Sequence, residues 1–187
     1  MRRSKPQTRL RILDAPFGLF WRQGFLRVSM DDIATRAGLT KRALYQHFPS
    51  KDDLMAATLE HSSTLAIERL RAFPRSDKPS TFIDTIFADL SNWAATPRWS
   101  GGGFTRVVVE LADLRGHPAR AIARKHKAAV ERWLADGLAT GGVPSSRDHA
   151  REIMLLTEGA MALTLIHGDR SYMKAAAHAA KRLVGCN

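Results

Sequence analysis

The chain has 187 residues with a formal net charge of +11 at pH 7, and 44% of its residues are hydrophobic. This composition predicts a folded globule of one or two domains and argues against a disordered chain. The chain contains no run of about 18 apolar residues, so we expect no membrane span. The basic amino terminus is not followed by the apolar stretch that a secretory signal requires. The single cysteine, Cys186, excludes an internal disulfide and fits the reducing cytoplasm.

Apolar periodicity predicts a first helix over about residues 7 to 22. Pro16 and Gly18 interrupt the pattern, and we expect them to weaken or kink this helix. Its apolar face is predicted to comprise Leu10, Leu13, Phe17 and Phe20.

The second and third helices lie within residues 29–51, SMDDIATRAGLTKRALYQHFPSK. Ser29 suits the N-cap of the second helix, and Asp32 places a negative charge in its first turn. Gly38 follows where two short helices must turn sharply, a backbone conformation that costs glycine little. Thr40 then caps the third helix. This order of caps and turn predicts a helix-turn-helix, the motif that places its second helix in the major groove of DNA; an ordinary helical hairpin with a solvated charged face is the alternative.

The third helix is expected to bury Leu44 and Phe48 and to present a face without carboxylates. Arg42, near its start, is the first candidate for a guanine contact, with a phosphate contact as the alternative. Lys51 adds positive charge at the start of the fourth helix, where a helix amino terminus favours phosphate. The outward side chains are Lys41, Arg42, Tyr45, Gln46 and His47.

No strand pattern competes with the helices, apart from Val107 to Val109, which is too short. The sequence therefore predicts an all-α fold of about nine helices. The helix-turn-helix predicts a three-helix DNA-binding head over residues 1–51, and the remaining helices are predicted to form a separate body over residues 52–187. The six helices after the third are predicted over about residues 50–73, 80–95, 104–114, 116–139, 146–167 and 171–184.

Positive charge is concentrated on the predicted DNA-binding head. Residues 1–51 hold eleven lysines and arginines against three aspartates, a net charge of +8, whereas the rest of the chain has a net charge of +3. A segment that binds DNA phosphates is expected to carry such an excess of positive charge, because the release of cations from DNA supplies much of the affinity of a protein for DNA. A membrane surface is a weaker alternative, since no long amphipathic helix with an exposed apolar face lies in this segment.

No pattern of a catalytic or metal site is present. The histidines do not form H-E-x-x-H, a C-x-x-C pair is excluded by the single cysteine, and no G-x-S-x-G occurs. Glycines 101–103 are not followed by Lys-Ser or Lys-Thr, so they do not form a P-loop. We therefore expect neither an enzyme nor a bound metal or cofactor, and we assign four histidines to surface or cap positions: His117, His126, His149 and His178.

The segment from Leu10 to Glu60 resembles the tetracycline-repressor (TetR) family of bacterial transcriptional regulators. The resemblance implies a helical homodimer in which residues 52–187 form an effector-binding and dimerisation domain, with a ligand cavity in this body and an interface made mainly by the last two helices. It also implies that six residues touch operator phosphates or bases: Ser29, Thr40, Lys41, Tyr45, His47 and Lys51. The motifs that carry it are Ile12-Leu13-Asp14-Ala15, Leu19-Phe20, Gly24-Phe25, Ser29-Met30, Asp32-Ile33-Ala34, Ala37-Gly38-Leu39-Thr40-Lys41, Leu44-Tyr45, His47-Phe48 and Ser50-Lys51.

The body combines aromatic and methionine side chains with a few polar groups, as small-molecule sites do. Aromatic and methionine residues at helical spacing are, however, more often part of a core than of a pocket. Glu158 lies in the apolar run LLTEGAMALTLI, where a carboxylate needs a partner or a ligand, and His167 is one possible partner. The candidate pocket comprises Trp93, Phe104, Val108, Leu111, Trp133, Glu158 and Met161.

The last two helices carry apolar and small residues that permit close helix packing across a two-fold axis. Packing only within one subunit is the alternative. The favoured function is a repressor that binds a near-palindromic operator as a dimer and is released by a small, mainly apolar effector. A DNA-binding protein without an effector and a protein-interaction module remain open. The expected interface residues are Ile153, Leu156, Ala160, Leu163, Ile166, Ala176, Ala179, Ala180 and Leu183.

Overall fold

The computed structural model describes residues 5–74, 76–97 and 99–186, with the side chains of residues 5, 6, 15–17, 21 and 22 left undescribed. Within these ranges the chain forms nine α-helices and no strand, which confirms the expected all-α class. The helices are α1 (Lys5–Gln23), α2 (Met30–Ala37), α3 (Lys41–Tyr45), α4 (Lys51–Arg71), α5 (Pro79–Ala94), α6 (Gly103–Glu110), α7 (Pro118–Thr140), α8 (Ser146–His167) and α9 (Ser171–Leu183).

The first helix is continuous through Pro16. Its buried face differs from the expected one. Leu13 and Phe20 are buried, but Leu10 is 51% exposed, because Ile12 and Leu19 complete the buried face and turn Leu10 towards solvent. The predicted position of Phe17 lies outside the described side chains.

The sixth helix ends at Glu110, four residues before the expected end, and a run of turns leads to the seventh. His117 caps that helix, because its Nδ1 accepts the backbone N–H of Ala119 at 3.1 Å. The cap position predicted for His117 is therefore confirmed. Among the described residues, no helix has both the length and the apolar character needed to cross a membrane.

Contacts divide the chain into two compact units. The first unit comprises the described residues up to Ala66 together with Gly103–Lys125, so it combines the first three helices and most of α4 with α6 and the start of α7. The second comprises Ile67–Gly102 and the residues from His126 onwards. The functional division at residue 51 is a different kind of boundary and stays a prediction.

The first unit has its own apolar core. Phe20 and Phe25 stack in it with their ring centroids 4.9 Å apart. This core holds Ile12, Leu13, Leu19, Phe20, Phe25, Val28, Met30, Ile33, Leu44, Phe48, Leu54, Met55, Leu59, Phe104, Val107 and Leu111.

In the second unit, α5, α8 and α9 pack together with apolar residues of α7. A Cβ atom on Gly137 would lie 2.2 Å from Cζ of Phe82, so only glycine lets this ring lie against α7. Part of the expected dimer face is buried inside the subunit, namely Ile153, Ala160, Ala176 and Ala180, whereas Leu163, Ile166 and Leu183 are exposed.

Candidate nucleic-acid interface

The start of α2 is fixed by a reciprocal cap between Ser29 and Asp32. Oγ of Ser29 accepts the N–H of Asp32 at 3.1 Å, and the Asp32 carboxylate accepts the N–H and the hydroxyl of Ser29 at 2.9 and 2.6 Å. These hydrogen bonds, the one from the hydroxyl first, hold the pKa of Asp32 below its usual value. The predicted cap is present. The cap therefore fixes the position of the Ser29 side chain at the start of α2.

A tight turn connects α2 to α3. Gly38 has φ 63° and ψ 41°, the left-handed conformation expected of a glycine at this position. The N–H of Leu39 then donates to the carbonyl of Ala34 at 2.9 Å, and Oγ1 of Thr40 accepts the N–H of Ala43 at 3.2 Å. Both features expected from the sequence, the glycine turn and the threonine cap, are present.

The five-residue helix α3 is held by its buried side. Leu44 is fully buried and Phe48, just beyond the helix, is 2% exposed. Arg42 and Tyr45 are exposed, as the sequence predicted. The guanidinium of Arg9 lies 4.3 Å over the ring of Phe48, and its Nη1 donates to the backbone carbonyl of half-buried His47 at 3.4 Å. The α3 surface is thus anchored to α1.

Lys41 is engaged within the protein. Its Nζ lies 2.9 Å from Oδ2 of Asp31, a residue of α2 on the other side of the turn that connects α2 to α3. The hydrogen bond to Asp31 and its charge raise the pKa of Lys41. Both side chains are largely exposed, where an ion pair contributes little, so a phosphate can replace Asp31. The sequence alone did not predict this partner.

Lys51 also has a partner inside the chain. Its Nζ donates to the carbonyl of Leu26 at 2.9 Å, in the loop between α1 and α2. Burial lowers the pKa of this half-buried lysine. Its predicted phosphate contact therefore competes with a hydrogen bond that connects α4 to the loop.

The same loop is held by a carboxylate from outside the amino-terminal segment, a contact that the sequence did not predict. The carboxylate of Glu110, the last residue of α6, accepts the N–H of Phe25 at 2.9 Å and that of Leu26 at 2.7 Å. The neighbouring Gly24 has φ +90°, and a Cβ there would lie 2.9 Å from Oε1 of Glu110. No local pattern links Glu110 to a loop 84 residues earlier.

The predicted pocket residues fall into the cores of two separate units. Phe104 and Leu111 are buried and Val108 is half-buried in the first unit. Met161 is buried, and Trp93 and Trp133 are half-buried, in the second. The ring of Trp133 lies 5.4 Å from both Phe73 and Phe82, and that of Trp93 lies 6.4 Å from Trp99. A ligand role for these residues stays a prediction.

Glu158 forms an ion pair with Lys127 of α7 rather than with His167. His167 is exposed and stacks on Tyr172 at 5.3 Å, so the partner suggested by the sequence is wrong.

His126 is 8% exposed, which contradicts its predicted surface or cap position. Its burial, then the charge of Lys127, lower its pKa to about 4, with the Glu158 carboxylate opposing.

In the part of the chain that the structure describes, no group of three or more His, Cys, Asp or Glu side chains could hold a metal ion.

Comparison with known proteins identifies relatives of the amino-terminal segment. Residues 12–58 match the family model of bacterial regulatory proteins, tetR family. The HTH-type transcriptional regulator AcrR of Shigella flexneri is 39% identical over 72 residues, which is 36% of this chain and 34% of that protein. The HTH-type transcriptional regulator TtgR of Pseudomonas putida is 38% identical over 63 residues, covering 32% and 30%. The chain thus spans about a third of the length of these curated relatives.

Solved structures match over almost the whole chain. The TetR-type transcriptional regulator sav143 from Streptomyces avermitilis superimposes with a TM-score of 0.80 at 27% identity, covering 96% of this chain and 99% of that one. The TetR-family regulator SCO4454 from Streptomyces coelicolor gives a TM-score of 0.81 at 22% identity, covering 96% and 95%. These matches are to transcriptional regulators and not to enzymes.

Proposed function

Because the chain belongs to the TetR family by its amino-terminal segment and its fold, we propose that it is a DNA-binding transcriptional regulator. We propose further that it represses transcription, binds a near-palindromic operator as a dimer, and leaves the operator when a small, mainly apolar effector binds. A protein with this activity works in the cytoplasm, where the bacterial chromosome lies. The observation that carries the proposal is the helix-turn-helix, with exposed α3 side chains on a segment of net charge +8.

The side chains proposed to contact DNA differ in whether they must first break an interaction within the protein. Arg42 and Tyr45 are exposed and suit a base edge and a phosphate respectively. To bind a phosphate oxygen, Lys41 must give up its ion pair with Asp31, and Lys51 must give up its hydrogen bond to the Leu26 carbonyl. The full set remains Ser29, Thr40, Lys41, Arg42, Tyr45, His47 and Lys51.

Enrichment of random duplex DNA on the purified protein tests the proposed function. We expect a near-palindromic sequence, because a two-fold dimer presents two α3 helices to half-sites one helical turn apart, about 34–36 Å. The enriched duplex and a scrambled duplex of equal length are then compared by fluorescence anisotropy. Equal affinity for both would contradict sequence-specific regulation.

The proposed dimer interface uses the exposed side of α8. Leu155 and Ile166 are each 71% exposed, and Leu163 is 39% exposed. Gly159 and Ala162 are exposed small residues between them. Three exposed aliphatic side chains around small residues suit close packing against the same helix of a second copy.

The proposed effector site consists of residues of the second unit. Trp93 and Met161 supply apolar surface, and the Lys127–Glu158 pair supplies charge. Nε1 of Trp99 and Oγ of Ser100 are buried without a hydrogen-bond partner among the described residues. Buried polar groups normally have partners, which a ligand can provide. Together these features support an apolar effector with one or two polar atoms.

Tryptophan fluorescence tests this site directly. We expect quenching or a spectral shift when a panel of apolar compounds is titrated, together with loss of affinity for the enriched duplex. A ligand weakens DNA binding tenfold when it favours the other state by about 1.4 kcal/mol. If the compounds that change the fluorescence leave DNA affinity unchanged, the effector role is wrong and a regulator without an effector replaces it.

A further inference from the structure

The loop between α1 and α2 is held by a carboxylate from a distant part of the chain. Both oxygens of Glu110 are used, one for the N–H of Phe25 at 2.9 Å and one for the N–H of Leu26 at 2.7 Å. Hydrogen bonds to a charged acceptor are stronger than those between neutral groups. This loop leads to Ser29, the cap of α2, so its position determines where the helix-turn-helix begins.

Two further contacts and a glycine determine the position of the same loop. Nζ of Lys51 donates to the carbonyl of Leu26, so the N–H and the carbonyl of this residue are held by α6 and α4 respectively. The ring of Phe25 is fully buried and stacks on Phe20 of α1. Gly24, with φ +90°, leaves the space that the carboxylate of Glu110 occupies. The loop therefore has a defined place on α1, α4 and α6.

We propose that Glu110 is a positioning residue for DNA binding, which keeps this loop and the following helix-turn-helix in the conformation that fits the operator. Without the carboxylate, the N–H groups of Phe25 and Leu26 lose this acceptor, while the hydrogen bond from Lys51 to the Leu26 carbonyl remains. This inference rests on the proposed function and assigns a role to a residue far outside the DNA-binding segment in sequence.

The variant Glu110→Gln tests the inference. A carboxamide has one oxygen, so it can accept one of the two N–H groups while its NH₂ opposes the other. The matched control is Asp113→Asn, an exposed residue just after α6, because it removes the same charge without touching the loop. Amide hydrogen exchange is followed by NMR, and affinity is measured for the enriched duplex and for scrambled DNA.

We expect exchange at Phe25 and Leu26 in Glu110→Gln to be at least about tenfold faster, because each N–H loses a charged acceptor. Affinity for the enriched duplex should fall about tenfold while affinity for scrambled DNA is kept, because phosphate contacts carry little sequence information. Asp113→Asn should behave as the wild type in every measurement. Glu110→Asp, which keeps the charge but shortens the reach, should be intermediate, and it carries the test if Glu110→Gln does not fold.

Unchanged exchange at Phe25 and Leu26 would overturn the contact. Faster exchange with unchanged affinity for the enriched duplex would overturn the positioning role, and so would an equal loss on both duplexes. If the wild type itself enriches no sequence, the proposed regulator function fails, and the positioning role in DNA binding fails with it. The exchange measurement uses no DNA, so the contact is tested separately from the proposed function.

Discussion

At the scale of single residues, Arg42 and Lys41 are adjacent cations with different surroundings. Lys41 is paired with Asp31, whereas Arg42 is exposed at the second position of α3. An arginine that donates two hydrogen bonds to guanine discriminates strongly against other bases, and a lysine on a phosphate does not.

We expect Arg42→Ala to weaken binding to the enriched duplex by about 1–3 kcal/mol and to relax base preference at one position of each half-site. Fluorescence anisotropy on the enriched and scrambled duplexes measures both effects. Arg124→Ala, an exposed arginine on α7, controls for the loss of charge. If Arg42→Ala loses equal affinity on both duplexes, Arg42 contacts phosphate rather than a base.

His126 makes stability depend on pH. Its folded pKa is about 4, whereas an unfolded histidine has its usual pKa of 6.5, so the unfolded state binds more protons between these values. The free energy of unfolding should therefore fall as pH decreases from about 6.5 to about 4, by on the order of 1–2 kcal/mol after solvent screening is allowed for.

Urea unfolding at about pH 7 and about pH 4.5 measures this effect, with His126→Gln as the control that cannot titrate. The wild type should lose more stability than the variant over this interval. Parallel losses in the two proteins would show that carboxylates alone cause the pH dependence.

Short-range rules predicted the residues of the helix-turn-helix well. Ser29, Gly38 and Thr40 act through neighbours no more than five positions away, so the sequence alone predicts their roles. The acceptor of Lys51 and the two amides held by Glu110 lie 25, 84 and 85 residues away. Such contacts depend on how the helices pack against one another, and the spacing of residues in the sequence does not predict this packing.

At the scale of elements, the packing of α5 against α7 depends on Gly137. A Cβ at this position would lie 2.2 Å from the edge of the Phe82 ring, which is itself buried. We expect Gly137→Ala to destabilise the fold by about 1–3 kcal/mol, as overpacking does, despite the better helix propensity of alanine.

Phe82→Leu provides the matched test, because it removes ring atoms at the point of collision. In a double-mutant cycle measured by urea unfolding, Gly137→Ala should cost less in the Phe82→Leu background than in the wild type. Equal costs in both backgrounds would place the strain elsewhere.

Helix existence was easier to predict than helix face or end. All nine helices were expected, and α8 has the predicted bounds. The buried face of α1 was misplaced at Leu10, because Ile12 and Leu19 were not counted as part of it. The end of α6 was placed at residue 114 instead of Glu110, because no glycine or proline marks the true end.

At the scale of the whole molecule, substitution of the exposed aliphatic side chains of α8 tests the proposed dimer. Ile166→Glu places a charge on the proposed interface, where a partner would leave it buried and unpaired. We expect this variant to sediment as a monomer at concentrations where the wild type is a dimer, with its helical content kept.

Leu65→Glu, at an exposed leucine on α4, is the control and should remain dimeric. A wild type that sediments as a monomer at micromolar concentration would contradict the proposed assembly. A dimer that persists in Ile166→Glu would move the interface away from this side of α8.

The grouping of the chain into units could not be predicted from composition or charge. The basic segment suggested a division at residue 51, yet Gly103–Lys125 belongs to the same compact unit as the helix-turn-helix. Buried Phe104 and Val107 bring this segment into the first core, and nothing in their local sequence indicates which core they join.

The distance in sequence between Leu26 and Glu110 has a consequence for protein synthesis. Glu110 follows Leu26 by 84 residues, so at about 5–20 residues per second a ribosome makes Glu110 roughly 4–17 s later. For that interval the nascent helix-turn-helix lacks the carboxylate that holds its leading loop. The proposed role of Glu110 therefore predicts that competence to recognise an operator is reached only after α6 has left the ribosome, even though the proposed DNA-contacting residues are made first.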